Sequence, residues 1–496
     1  MVRKGRLELP RVAPLDPKSS ASTNSATFAR DRPQGYYSGL HSGPDQPPSP
    51  PILGDRIVLS SSLPYMSRPH AQLELKAWTL QAVPTGVLAG GVAGVLVNTV
   101  FASEVDGWVL ALSVALATGA GPFGYVTSIA WSHWSQGRDK VRALTHLKAL
   151  FTASLLMTVL VPINGMGLGL LVTSLLGAGI LWCGIITIRS IVWRSNYSRV
   201  ARTTFAARAQ VLVSIVMSLV GAGAGLALDR YVYSFRWIFL ISAGCALAAL
   251  FAYRRVRVRH QQRMLNSERE RTDGSHFRVA QLWHVLRTDS LYRRYLTWMF
   301  VTGSGNLMAI APLILIFTDH LNMPKFTQIM ITTSVPTLLI PLTTPIWARV
   351  LAKRHAIAFR AFNSRFFIAV SAAALAGVTL EWEPLLWLSA IFQGIGFGGG
   401  LLIWSLAHND FAPRERNLEY MGVHVTLTGI RGLIAPLVGV GLYGLLEAKQ
   451  PGLGVWSMVL PLVLTTAGAI GFHTLHRNWA RSEQNGPANV APTARP

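Results

Sequence analysis

The sequence predicts an all-α polytopic membrane protein with twelve transmembrane helices in two six-helix pseudo-repeats. Three observations carry the prediction. Charged residues make up 14% of the 496-residue chain and hydrophobic ones 51%, with a mean hydropathy of +0.37. A soluble domain carries about 25% charged residues. Apolar runs of about 20 residues, the length that crosses a hydrocarbon core, recur twelve times. The loops between these runs alternate between densely basic and nearly free of basic residues.

The first six runs cover about 79–102, 107–131, 143–162, 167–188, 209–228 and 237–253. The second six cover about 295–318, 327–348, 361–380, 385–407, 423–446 and 455–472, the run at 361–380 being the weakest because it holds Arg365. A soluble helical bundle would show a polar face every 3.6 residues, and these runs lack one. Around them the chain divides into an extension at 1–77, a six-span half at 78–253, a basic connector at 254–294, a second half at 295–476 and a tail at 477–496. The extension and the tail are Ser-, Pro- and Arg-rich or polar, without an apolar run able to pack, and are expected to be disordered. Arg3 to Ala29 also resembles translated tRNA-gene sequence, so Met66 is the expected native start.

Lys and Arg number 45 against 22 Asp and Glu, a formal charge of +23. A nucleic-acid binder would need that charge on a solvated face, but here it follows topology. Twenty-six basic residues fall in the connector and in the loops after spans 2, 4, 8 and 10, and four (Arg230, Arg236, Lys325 and Lys449) in the alternate loops. The positive-inside rule then puts both termini and the connector in the cytoplasm, the protein being multi-pass in a bacterial cytoplasmic (inner) membrane. No nucleic-acid partner is implied; the partners expected are a small-molecule solute and the bilayer, with a monomeric functional unit.

Shifting the numbering by 216 superposes each early span on a late one. It also brings Trp131 onto Trp347, Arg138 onto Arg354, Gly223 onto Gly439 and Gly225 onto Gly441. Halves of equal orientation are parallel repeats about an axis along the membrane normal.

The loop after span 2 reads Gly137-Arg138-Asp139-Lys140-Val141-Arg142. Trp404-Ser405-Leu406-Ala407-His408-Asn409-Asp410-Phe411 is followed by Tyr420 to Gly432, YMGVHVTLTGIRG. With the 6+6 plan and basic connector, these stretches resemble major facilitator superfamily permeases, specifically an uncharacterised bacterial subgroup, over about 78–476. The loop departs from the family signature at Ala130 and Trp134, and its counterpart at Ala348–Arg354 lacks the acid. A gating role for the signature's aspartate is therefore not carried over. The resemblance implies a secondary transporter moving a small solute by alternating access. A non-transporting receptor or assembly factor on the same fold, or a multidrug-type efflux permease, are the alternatives.

Polar groups inside a membrane cost free energy unless paired or hydrated, so they mark candidate sites. No Asp or Glu falls near the middle of an expected span; Asp229, Asp319, Asp410 and Glu447 sit at ends. A cavity without carboxylates has nothing to offset a cation's lost hydration, which favours a neutral or anionic polar solute. Arg431, about two turns into span 11, is either a solute contact or gate, or an arginine reaching to the interface. Thr302-Gly303-Ser304-Gly305-Asn306 in span 7 either loosens the helix, exposing backbone and Asn306 to a cavity, or packs closely through small residues. Gln393 in span 10 and His424 in span 11 are further pathway candidates, and Trp182, near mid-span, can stack a ring. Arg138, Arg354, Arg189 and Asp410 are candidates for gating at the cytoplasmic loops. Gly394, Gly396 and Gly399 satisfy GxGxxG, but no strand precedes them and a dinucleotide site is rejected.

Val279, Leu282, Trp283 and Leu286 place an amphipathic helix on the connector. Cys183 and Cys245 both lie in apolar runs, which excludes a disulfide framework. The sequence carries no HExxH, P-loop or Ser/His/Asp constellation, so no enzyme activity, metal or cofactor is expected.

Overall fold

A computed structural model describes residues 68–272, 279–413 and 416–484. The extension with Met66, Arg414, the side chains of Val279 and Leu282, and the tail beyond Gln484 lie outside what it describes.

The first span is bent by 45° between α1 (Arg68–Val87) and α2 (Gly90–Phe101). Pro84 removes a backbone donor near the bend. The second span runs from α3 (Gly107–Gly124) through a 3₁₀ turn into α4 (Ser128–Trp134). The half is completed by α5 (Lys140–Val159), α6 (Gly165–Asn196), α7 (Arg199–Arg230) and α8 (Ser234–Tyr253). Side chains of Asp139, Asn164 and Ser198 cap α5, α6 and α7 by accepting from their first free amides. The connector forms α9 (Gln261–Thr272) and α10 (Val279–Thr288).

In the second half α11 (Ser290–Asp319) is followed by α12 (Lys325–Ile329), a π-turn at Met330–Ser334 and α13 (Val335–Leu351). Then come α14 (Ala356–Thr379), α15 (Glu383–Leu406), α16 (Asn417–Lys449) and α17 (Val459–Gln484). Among the described residues ten helices are long and apolar enough to cross a membrane, and the bent α1–α2 pair makes eleven. The twelfth is α5, whose Lys140, Arg142 and Lys148 lower its hydropathy.

Several boundaries differ from the sequence-based expectation, and three of them bear on the buried charges and the domain limits. The first helix begins at Arg68 rather than near 79, because Ala71, Glu74 and Ala77 are all buried despite the polar residues around them. Helix α14 starts at Ala356, so Arg360 lies inside a helix and not in a loop. The last helix runs past 476 to Gln484. On the connector, α10 forms where expected, but Val285 is its fully buried residue, packed towards α11 and α16, while Trp283 is exposed.

The two halves meet along α3 against α16 and α7 against α12–α13. Gly119 faces the carbonyl of Gly432, and Gly432 in turn faces Pro122, so side chains larger than hydrogen do not fit at the crossing. Ser218 donates to Ser334 O (2.9 Å). At the end of the bundle away from the chain termini, Asn98 Nδ2 donates to Thr318 Oγ1 (2.9 Å). There too, Asp229 accepts from the backbone amides of Lys325 (2.6 Å) and Phe326 (2.9 Å), capping α12 from the opposite half. These contacts hold that end shut.

Candidate functional site

Glu74, Trp78, Gln81 and Thr85 follow one another at i, i+4, i+7 and i+11, which lines them along one face of α1. Lys148 of α5 is buried against this face, its Nζ donating to Gln81 Oε1 (2.8 Å) and lying 5.3 Å from the Trp78 ring and 5.4 Å from that of Tyr253. Arg189 of α6 has its guanidinium carbon 4.0 Å from the Trp78 ring and 4.3 Å from the Trp193 ring. A cation between desolvated aromatic faces gains about 2 kcal/mol, which explains an arginine at this depth. Its Nε is nonetheless buried without a hydrogen-bond partner. Glu74 is fully buried beside the donors of Trp193, Tyr197 and Asn196, with the charge of Arg189 close by.

Glu74, six residues into α1, is a buried carboxylate near the end of a span, which the sequence reading did not include. Glu74 precedes the first apolar run and is flanked by Lys76, so hydropathy leaves it outside, while helix periodicity carries it in. Arg189, expected at a cytoplasmic loop, instead lies half-buried between tryptophans. Beside it is a cavity of about 260 Å3 lined by Trp78, Thr85, Trp182, Arg189, Trp193 and Gln210, among others. Trp182 packs edge-on against Trp78 with ring centroids 5.6 Å apart.

In the second half Arg431 is buried, donating to Met299 O (2.6 Å) and Thr428 Oγ1 (3.4 Å). Gly303 leaves the space its guanidinium fills, since a Cβ there would collide with it. Helix α11 is continuous through Thr302 to Asn306, and Gly305 admits Pro461 and Thr465 of α17. Arg360 is buried too, bonding Asn363 Oδ1 (3.1 Å), whose amide donates to Gly396 O (3.1 Å). Tyr295 feels the charge of both arginines. Nε of Arg360 and of Arg431 lacks a hydrogen-bond partner.

His424 is buried with Nε2 unpartnered and its ring 5.5 Å from that of Trp404. Trp404 donates to Thr428 Oγ1 (3.2 Å), and its ring lies 5.5 Å from Tyr125 of the first half. Tyr125 and Trp404 thus connect the halves next to the Arg431 cluster. Asn306 lies half-buried on α11 and Gln393 buried on α15; Arg431 spends its bonds on Met299 and Thr428 rather than on either.

The loop candidates make local contacts. Arg138 and Arg354 are exposed, each over an aromatic ring (Trp134 at 4.8 Å, Phe362 at 5.8 Å). Asp410 accepts from Ala356 N (2.8 Å) at the start of α14. The contact that sequence reading missed is Lys140, fully buried and paired with Glu268 of α9 at 2.6 Å. Glu268 also accepts from Gly137 N (2.8 Å), where φ is +63°, a value that favours glycine. Glu74, Trp78, Gln81, Lys148 and Arg360 were missed as site residues. The signals available were the i, i+4, i+7 spacing on α1 and a lysine in the middle of a span.

Among the described residues, Glu74 is the one acidic side chain that is buried, against Lys140, Lys148, Arg360 and Arg431 buried and Arg189 half-buried. The profile of a family described as Major Facilitator Superfamily matches residues 107–436. No curated protein matches in sequence. Solved structures match throughout the fold at low identity. A point mutant of the nucleoside transporter NupG is 12% identical with a TM-score of 0.65, covering 81% of this chain and 99% of its own. A D-xylose-proton symporter is 13% identical with a TM-score of 0.63, covering 82% and 97%. The xylose transporter XylE from E. coli, in a partially occluded inward open conformation, is 12% identical with a TM-score of 0.59, covering 86% and 99%. The chain belongs to the Major Facilitator Superfamily and is a membrane transporter, not an enzyme.

Proposed function

We propose that this transporter moves a small polar solute, neutral or anionic, by alternating access of its two halves. The observation that carries this is the Arg360–Arg431 pair: two buried guanidinium groups near each other, each with Nε unpartnered and no buried acid beside them. Leaving a buried charge without its partner costs about 3–5 kcal/mol. A solute that brings a negative charge or strong acceptors offsets that cost, and a cationic solute adds to it. Glu74 changes the reason for disfavouring cations: the interior holds a carboxylate, but positive charge outnumbers it.

The glycine crossing of α3 on α16 and the Asp229 cap on α12 supply the surfaces across which the halves rock. Both clusters lie within one chain, which supports a monomeric functional unit. The basic residues, 26 against 4, support cytoplasmic termini in a bacterial inner membrane; the shut end then faces outward.

Counterflow in proteoliposomes tests the reading, with small carboxylates, neutral polyols and organic cations compared on the wild-type protein. Exchange of anions or neutral solutes is expected. Exchange confined to organic cations would overturn the reading, as would exchange of nothing.

A further inference from the structure

We infer that the cavity of the first half binds a small aromatic mono-anion, a single-ring carboxylate, with its ring against Trp182 and its carboxylate at Arg189. The inference rests on the transport reading above and adds a first-half binding site, separate from the Arg360–Arg431 pair, for a solute of the same anionic class. Size is the first constraint. The cavity holds about 260 Å3, below the ~300–1,000 Å3 of sites for drug-sized ligands, so it suits one ring with a polar substituent.

The walls set the second constraint. Trp78 and Trp182 meet edge to face with an interplanar angle of 66°; Trp78 is nearly buried under Arg189, and the half-buried Trp182 offers the ring surface to the cavity. Aromatic rings gain from offset-stacked and edge-to-face contacts beyond simple burial. Aliphatic acids of equal size forgo that gain.

Unmet hydrogen-bonding capacity sets the third. Thr85 Oγ1 already donates to Gln81 O (3.0 Å), and Gln210 Nε2 to Ser214 Oγ (3.2 Å). Arg189 lines the cavity half-buried, while its Nε is sealed from it, so the rest of the guanidinium is the charged donor group a ligand can meet. An anionic acceptor satisfies such a donor. Arg189 is already clamped between Trp78 and Trp193, so it meets a carboxylate with little loss of side-chain freedom.

Charge sets the fourth. Lys148 and Arg189 face Glu74 alone, a surplus of one positive charge that a mono-anion neutralises. The ring and the single negative charge are required together, because each answers a different feature of the same cavity.

Titration calorimetry on the purified full-length protein in nanodiscs tests this with benzoate as the probe, against cyclohexanecarboxylate, which lacks the π-face, and benzylammonium, which reverses the charge. Benzoate is expected to bind about tenfold or more tightly than either, and Trp182→Leu and Arg189→Gln each to weaken it by about tenfold, the scale of one lost aromatic or charged contact. Trp182→Phe is expected to restore affinity to within about threefold of the wild type by keeping a ring face, which separates a lost contact from a misfolded chain. Benzoate that fails to bind, binds no better than cyclohexanecarboxylate, or binds equally well to both weakening variants overturns the inference. Absent benzoate binding alongside counterflow of non-aromatic anions sinks this inference and leaves the transport reading standing. Benzoate binding without counterflow of any solute does the reverse.

Discussion

Trp131 and Trp347, 216 residues apart, make the same bond in opposite halves. Trp131 Nε1 donates to Ile180 O at 3.0 Å and Trp347 Nε1 to Ile395 O at 2.7 Å, each tying the second span of its repeat unit to the fourth. An indole N–H inside the bilayer needs an acceptor, and a neighbouring helix carbonyl supplies it without a charged group. Trp131→Phe and Trp347→Phe should each lower stability by about 1 kcal/mol, one hydrogen bond's worth. Thermal unfolding in detergent checks this, and a clear loss in one half with none in the other would contradict equivalence.

Lys140 is buried while its partner Glu268 comes from the connector. Glu268→Ala strands the lysine and should cost about 1–3 kcal/mol, the penalty of an unsatisfied buried polar group. Lys140→Met in the same chain should recover much of the loss, because the uncompensated charge goes with it. Melting curves of the single and double variants decide; a double variant no better than the single one would show that the pair is not what fixes α9 to the α4–α5 loop.

The Asp229 cap on α12 is a contact between halves that must break when the shut end opens. Asp229→Ala should destabilise this state by about 1 kcal/mol, since the carboxylate is partly screened by solvent, and shift the population of open molecules about fivefold. Spin labels at the exposed Val232 and Asn322, with both cysteines replaced, report it as added long distances. An unchanged distance distribution would remove the cap from the gating account.

Gly303 and Gly305 lie two residues apart yet serve different neighbours. Gly303→Ala should displace the Arg431 guanidinium and reduce transport with little loss of stability. Gly305→Ala should press on α17 and cost about 1–3 kcal/mol through overpacking. Parallel transport and unfolding measurements on both variants separate the effects, and a pair of identical profiles would refute the division.

The spans were legible because hydropathy and length are local properties, and the repeat because Trp131 and Trp347 keep the same chemical task. Arg431 was legible as a charge inside an apolar run. Glu74 was not, since its own stretch is polar and it is neighbours on other helices that bury it. Arg360 sits next to the weakest run and reads as a loop residue. The bonds that assemble the clusters join residues far apart in the chain, as Lys148 does with Gln81 and Arg431 with Met299, and no local pattern announces them. Gly303 shows the same limit: its role is the shape of a side chain on another helix.

The central claim is that the buried arginines of the second half receive the solute. Once counterflow has identified a transported anion or neutral solute, its exchange rate in Arg431→Ala and Arg360→Ala proteoliposomes tests the claim most directly. Each variant is expected to lose about 10–100-fold, as removal of a charged hydrogen bond worth about 1.5–3 kcal/mol implies. Wild-type exchange by both well-folded variants would contradict it.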